Sequence, residues 1–389
     1  MSTDPITPER LLEGGNHRPM SLDTNEVIYL IADRPSVESS SVSRPFAGMC
    51  ESFGGTFLFV LFFVVFCYFG VVTVVNPHRV FWGHSFPEIM PNTRALKLDL
   101  LQEYNRAGTV DLLVLGSSRS TKLSPDLLES LTGQRTFNAG VFSAGPNDYL
   151  SMYRIIKKQG IVPKTLVVGL EVEALDPATP PAPDFESNLA LKSALNGTVP
   201  ILPAKIWHWA WLYKKSFSPY YMQDIAKSIW IRFNPRPPLF EFQSNGQEED
   251  RVLDTRIQSG AYPHAQKVKD CEDSLQTKFD NFPEASPELE YDLKKLLSEA
   301  ISDNVRVILW ITPVHPEALE KILKDPQAGR NFRSAESHLV QLGAMFHLPV
   351  RDLVDTQSFE GNPDSWYDCV HYSGADADKI AKELFHHDL

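Results

Sequence analysis

Residues 110–119 read Val-Asp-Leu-Leu-Val-Leu-Gly-Ser-Ser-Arg. An apolar run that closes on glycine and two hydroxyl residues predicts a buried strand ending in a sharp turn, with a serine oxygen left exposed at the sheet edge. Alone, such a turn is ordinary, because Gly and Ser are common in turns. Its meaning comes from four similar runs: residues 136–138 (Thr-Phe-Asn), 165–170 (Thr-Leu-Val-Val-Gly-Leu), 305–311 (Val-Arg-Val-Ile-Leu-Trp-Ile) and 349–353 (Pro-Val-Arg-Asp-Leu). Helical stretches alternate with them. One starts at Ser124-Pro125-Asp126, a capping hydroxyl followed by proline, and stops at Gly133. This alternation predicts an α/β fold, a parallel sheet covered on both sides.

Ligands of an open parallel sheet bind beyond the carboxyl ends of its strands, so the residues following each run matter most. The first run delivers Ser118. Arg119 beside it is either a substrate contact that steers an anion or a solvated surface residue. After the second run comes Asn138-Ala139-Gly140-Val141-Phe142-Ser143-Ala144-Gly145, whose small residues let backbone amides approach a ligand. Glu171 and Glu173 follow the third run, as solvated or helix-capping groups or as general acids. His315 follows the fourth, as a substrate contact or a turn residue. Near the chain end stands Asp368-Cys369-Val370-His371, ahead of a helix with Ala377, Ile380, Ala381 and Leu384 on one face. An Asp three residues before a His can receive the Nδ1 proton and leave Nε2 free as a base.

A strand-end serine, an N-x-G loop and a late D-x-x-H together resemble the SGNH (GDSL-like) hydrolase and acyltransferase superfamily. The likeness is strongest to its membrane-anchored members, those related to alginate O-acetyltransferase and teichoic-acid D-alanylation proteins, and it covers roughly residues 108–175 and 300–386. It implies a flavodoxin-like three-layer α/β/α fold and a serine esterase or O-acyltransferase. Ser118 would be the nucleophile, His371 the base and Asp368 its orienting carboxylate. The loop from Asn138 would supply an oxyanion-hole amide near Ser143 or Gly145. The third block departs from the family, reading Gly169-Leu170-Glu171-Val172-Glu173 where Asn is usual, so one oxyanion donor is unassigned. The implied substrate is an acyl ester or O-acylated cell-envelope polysaccharide, with a multispan membrane acyltransferase as a further partner. The alternative is a non-catalytic envelope-assembly or polysaccharide-binding protein on the same frame.

Other chemistries find no motif. Ser120 stands where the α/β-hydrolase elbow needs glycine, and GxxxxGK[ST], GxGxxG and HExxH are missing. The four cysteines form no CxxC and no zinc spacing. No metal and no cofactor is therefore expected. With 37 Lys+Arg against 49 Asp+Glu, the formal charge is −12, the wrong sign for gripping nucleic acid.

Residues 53–75 (FGGTFLFVLFFVVFCYFGVVTVV) carry no charge over 23 positions and predict one transmembrane helix, so the lipid bilayer is an expected partner. A signal peptide would lie nearer the N-terminus, behind a basic segment. Here the 52 preceding residues hold four Arg, no Lys and eight acidic residues, and read as a disordered polar tail. Arg34 and Arg44 precede the span, Arg79 and Arg94 follow it, and they do not orient it; the expected topology is a single-pass protein with an extracytoplasmic C-terminal body. Residues 76–107 form a connector with a helix at 93–105, and residues 108–389 the α/β domain. Within that domain about 176–300 form a helical cap insertion. Its Trp207-His208-Trp209-Ala210-Trp211-Leu212-Tyr213 stretch is a sugar-stacking platform, an interfacial belt at the bilayer, or packing between cap and sheet. In an oxidising compartment Cys271 and Cys369 could pair.

Overall fold

The structure, a computed structural model, describes residues 44–81, 85–89, 92–235, 241–282 and 284–386. Of the expected tail, residues 1–52, residues 1–43 lie outside the described residues and residues 44–52 are helical, continuous with the apolar stretch, rather than tail. Helix α1 (Arg44–Val75) starts nine positions before the uncharged stretch. From Phe53 to Val75 its mean hydropathy is 2.8, long and apolar enough to cross a membrane.

Next come α2 (Thr93–Arg106), β1 (Leu112–Leu115), α3 (Pro125–Thr132), β2 (Thr136–Asn138), α4 (Pro146–Lys158) and β3 (Thr165–Leu170). A long intervening segment carries α5 (Pro183–Glu186), α6 (Leu189–Leu195), α7 (Leu202–Ser216), α8 (Pro219–Phe233), strands β4 (Glu241–Phe242) and β5 (Glu248–Glu249), α9 (Arg251–Gln258) and α10 (His264–Asp280). The chain then returns to the sheet through α11 (Pro287–Ser302), β6 (Arg306–Ile311), α12 (Pro316–Lys324), α13 (Pro326–Met345), β7 (Val350–Asp352) and α14 (Gly374–Phe385).

The five expected runs form one parallel sheet in the order β2-β1-β3-β6-β7. Successive side chains of a strand face opposite sides, which here divides the interior in two. Leu113, Leu115, Leu166 and Val168 join one buried cluster with residues of α4, α11 and α13. Leu112, Val114, Val167 and Trp310 join another with α3 and α14. Strands buried on both faces need no polar alternation, which is why they read as continuous apolar runs.

The expected insertion is not a single cap. Each of its amphipathic pieces buries its apolar side on the nearest available surface: α6 on α4, and α10 on α12 and α13. The β4–β5 hairpin lies along the edge strand β2, where the Asn138 N–H donates to the Asn245 carbonyl at 3.0 Å, so that edge is covered. The aromatic stretch on α7 packs not against the sheet but against the last turns of α1, with Val72, Val75 and Phe81. A Cys271–Cys369 disulfide joins α10 to the loop before α14, with Cα atoms 5.6 Å apart.

Arg94 of α2 is fully buried. Its guanidinium donates to both oxygens of Asp148 on α4, at 2.6 and 2.8 Å, and pairs with Asp184 of α5. Burial disfavours the charge, but the two carboxylates outweigh that effect and Arg94 stays protonated. Removing one partner of a buried pair strands the other. Asp148→Ala should therefore lower the unfolding free energy by about 3–5 kcal/mol, read by chemical denaturation of the full chain in detergent; a loss within error of zero would show that the pair does not hold these helices.

Candidate active site

Strand β1 is followed by Gly116 because nothing larger fits there: a Cβ would overlap the Ser120 hydroxyl. The following turn is tied down from below by Asn138. Its side-chain amide donates to the carbonyls of Ser120 (2.8 Å), Thr121 (3.2 Å) and Leu123 (2.9 Å). Ser118 is left half-buried at the top of this turn. At the other end of the chain, buried Asp376 in the first turn of α14 accepts from the Trp366 indole (2.7 Å) and the Asn362 N–H (2.9 Å). These bonds anchor the loop that carries Asp368 and His371. The Tyr372 hydroxyl donates to the Arg119 carbonyl and joins the two ends.

Ser118 Oγ lies 2.8 Å from His371 Nε2, and His371 Nδ1 lies 2.8 Å from Asp368 Oδ2. The other carboxylate oxygen accepts the backbone N–H groups of Val370 (2.9 Å) and His371 (2.8 Å). Burial pushes the Asp368 carboxyl up, but the imidazole and the two amides outweigh it and bring it down to about 2. A carboxylate charged at neutral pH accepts the Nδ1 proton and leaves Nε2 to accept from Ser118. Chemically this is a hydroxyl beside an oriented base.

Two clefts meet at this pair, and Arg119 and Ser143 line both. One, of about 240 Å³, is walled by Ala174, Pro180, Pro181 and Leu289, with Glu171, Glu173 and Lys278 among its polar groups. The other, of about 370 Å³, is lined by Lys122, Phe142, Glu248, Asp250, Tyr262 and Tyr367.

Of the expected site residues, Ser118, Asp368 and His371 come together, and Ser143 and Gly145 line the first cleft. Gly145 spends its N–H on Asp148 (3.2 Å). Ser143 holds a left-handed backbone, φ 50°. Asn138 is a correction: its side chain is bound to the turn carbonyls and it lines neither cleft. His315 is another. It caps α12, accepting from the Glu317 N–H through Nδ1 at 3.3 Å, packs on Trp366, and lines neither cleft. Arg119 is not solvated; its guanidinium pairs with Glu173 and donates to Thr312 at 3.1 Å. Glu171 and Glu173 are likewise buried, at 7% and 8% exposure. Lys122 and Tyr367 went unread although Lys122 lies three positions after Arg119 and Tyr367 adjoins Asp368. Lys278 and Tyr262 come from the insertion, where no local signal marks them.

No family model matches the chain, and no curated protein matches it.

Burial pushes the Glu171 carboxyl up to about 7, against the pull of Arg119. Glu173 goes the other way, because the Arg119 and Lys278 charges outweigh its burial. A raised carboxyl contributes stability below its ordinary value, 4.5, and loses it as pH rises through its folded value of about 7. Glu171→Gln should therefore flatten the decline in Tm between about pH 5 and 8 relative to the parent; superimposable Tm curves would refute a protonated Glu171.

Proposed function

We propose that this protein is a membrane-anchored serine acyltransferase or esterase acting on O-acyl groups of a polyhydroxyl substrate such as cell-envelope polysaccharide. The observation that carries the reading is the Ser118–His371–Asp368 chain with its two 2.8 Å links. The SGNH resemblance adds support. Counting only the strands of the main sheet, their order is 2-1-3-4-5, the flavodoxin-like order, and the chain of hydrogen bonds stands beyond the carboxyl end of its central strands.

In the proposed reaction His371 Nε2 takes the Ser118 proton as Oγ attacks the ester carbonyl. The tetrahedral adduct collapses, the C–O bond to the leaving alkoxide breaks, and the alkoxide takes the proton from His371. An acceptor hydroxyl, or water, then gives its proton to His371 and attacks the acyl-serine. Ser118 leaves and recovers the proton. Asp368 remains a carboxylate throughout and stabilises the imidazolium.

The oxyanion needs donors. The Phe142 carbonyl accepts from Arg94 at 3.1 Å. In a trans peptide the following N–H points the opposite way, so the Ser143 amide is turned from Arg94 and serves, with the Ser118 amide, as a candidate donor. Two clefts on one nucleophile suit a reaction with an acyl donor and a separate acceptor. The aromatic and acidic lining of the larger one fits sugar hydroxyls. The Cys271–Cys369 disulfide fits an oxidising compartment, hence an extracytoplasmic body.

The test uses the full chain in detergent. The parent should take a fluorophosphonate on Ser118 and release p-nitrophenol from its acetate, Ser118→Ala should do neither, and Asp368→Asn should lose roughly 10⁴-fold in turnover. Equal labelling of the parent and Ser118→Ala would sink the proposal. For the compartment, a reporter fused after Leu389 should be active only outside the cytoplasm.

A further inference from the structure

Helices α7 and α8 form a hairpin whose connecting turn lies against α1. Phe217 stacks on Tyr68 with ring centroids 4.5 Å apart, and the Tyr68 hydroxyl donates to the Ser216 carbonyl. Tyr213, a turn earlier in α7, meets Phe69 at 4.6 Å, and its hydroxyl lies 2.9 Å from that of Thr73. Residue numbers fall along α7 as they rise along α1, so the two helices run antiparallel and the hairpin tip stands level with Tyr68. Tyr68 is seven residues before Val75, where α1 ends, so the tip reaches about 10 Å back along the apolar helix.

In a chain anchored through α1, that level is the edge of the bilayer. The tip is dressed for it: Phe217, Tyr220 and Met222 are 50%, 79% and 53% exposed. Contiguous exposed apolar groups of this kind mark a contact surface, and aromatic residues concentrate where acyl chains meet headgroups. Lys214 and Lys215 sit one turn behind the tip, both exposed, and their long stems can lift the ammonium groups to the headgroups. These charges limit the depth, as on helices that lie about 5–10 Å into the interface.

We infer that the α7–α8 tip is a second membrane-contacting element, inserted beside α1 at the boundary of headgroups and acyl chains, with lipid as its partner. The inference rests on α1 being a span and is independent of the chemistry at Ser118. It answers why the Trp-rich stretch of α7 belongs to α1: the hairpin braces the emerging span and ties the body to the membrane surface at a second point.

The test reconstitutes the full chain in lipid nanodiscs in a Cys50→Ser, Cys67→Ser background, without reductant so that the Cys271–Cys369 disulfide is kept. Single cysteines from Tyr220→Cys, Val60→Cys and Ser298→Cys carry an NBD label, and Met222→Cys replaces Tyr220→Cys if the latter does not fold. The label at position 220 should lose access to dithionite and be quenched by doxyl-labelled phosphatidylcholine, as at position 60 and unlike position 298. Access at 220 with protection at 60 would overturn the inference while leaving the span intact. Access at both would overturn the span and the inference together. Shielding at 220 without doxyl quenching would put protein there, such as a second copy of this chain, and would also overturn it.

Discussion

The buried guanidinium of Arg94 is the constraint from which the rest of the site follows. It is held by carboxylates from α4 and α5, yet it also accepts the job of ordering a loop, since it donates to the Phe142 carbonyl at 3.1 Å and approaches that of Ser143 at 3.4 Å. Lys97, one turn further along α2 and also fully buried, does the same for the Asn138 and Gly246 carbonyls. Burial pulls the Lys97 ammonium down to about 7, so α2 carries its second cation at the limit of what the interior tolerates. Two desolvated cations on a single helix thus fix the carbonyl of Asn138 at the end of β2 and those of Phe142 and Ser143 in the loop after it, and with them the opposing amides.

Ser118 and His371 come from opposite ends of the domain, and a parallel sheet is what reconciles them. β1 sits between β2 and β3, so the turn after it is walled by the loops of both neighbours. The D-x-x-H loop reaches the same edge from beyond β7. It is fixed by buried groups: Asp376 under Trp366, Tyr372 on the Arg119 carbonyl, and the disulfide at Cys369 between Asp368 and His371. Each removes conformational freedom from a segment with no regular secondary structure, where a misplacement of an ångström would break the 2.8 Å link to Ser118.

The strands were legible because burial on both faces leaves no polar alternation to confuse the reading, and Ser118, Asp368 and His371 because each lies at a strand end or within one local motif. What failed to read was long-range. The Arg94 partners lie 54 and 90 residues away, and nothing near any of the three marks them as a set. Asn138 looked like a ligand-facing loop residue, but a side chain with two N–H groups under a tight turn finds carbonyls first. His315 followed a strand just as the pattern asked, yet its Nδ1 became a helix cap. The aromatic stretch of α7 is apolar on so many sides that composition alone could not choose between sheet, sugar and bilayer. Packing on α1 removes the sheet from that choice.

The remaining asymmetry lies beside Ser118. Among the described residues Arg119 is the one arginine lining either cleft, and Glu171, Glu173 and Asp368 all act on it. Asp368 is satisfied by the imidazole and two amides, and Glu173 takes the guanidinium directly. Burial is the largest influence on all three carboxyls, but only at Glu171 do the nearby charges fail to outweigh it, so its carboxyl is drawn toward the neutral form; among the described residues its Oε1, like Glu173 Oε2, has no hydrogen-bond partner. Environments that drive two neighbouring carboxyls apart create one acceptor and one donor at the same pH. A buried oxygen left unpaired costs about 1–3 kcal/mol, a cost that an apolar acyl chain in this cleft would leave standing and a hydroxyl or amide on the substrate would relieve. The first cleft therefore presents buried carboxyl oxygens that a hydroxyl or amide group entering it would satisfy.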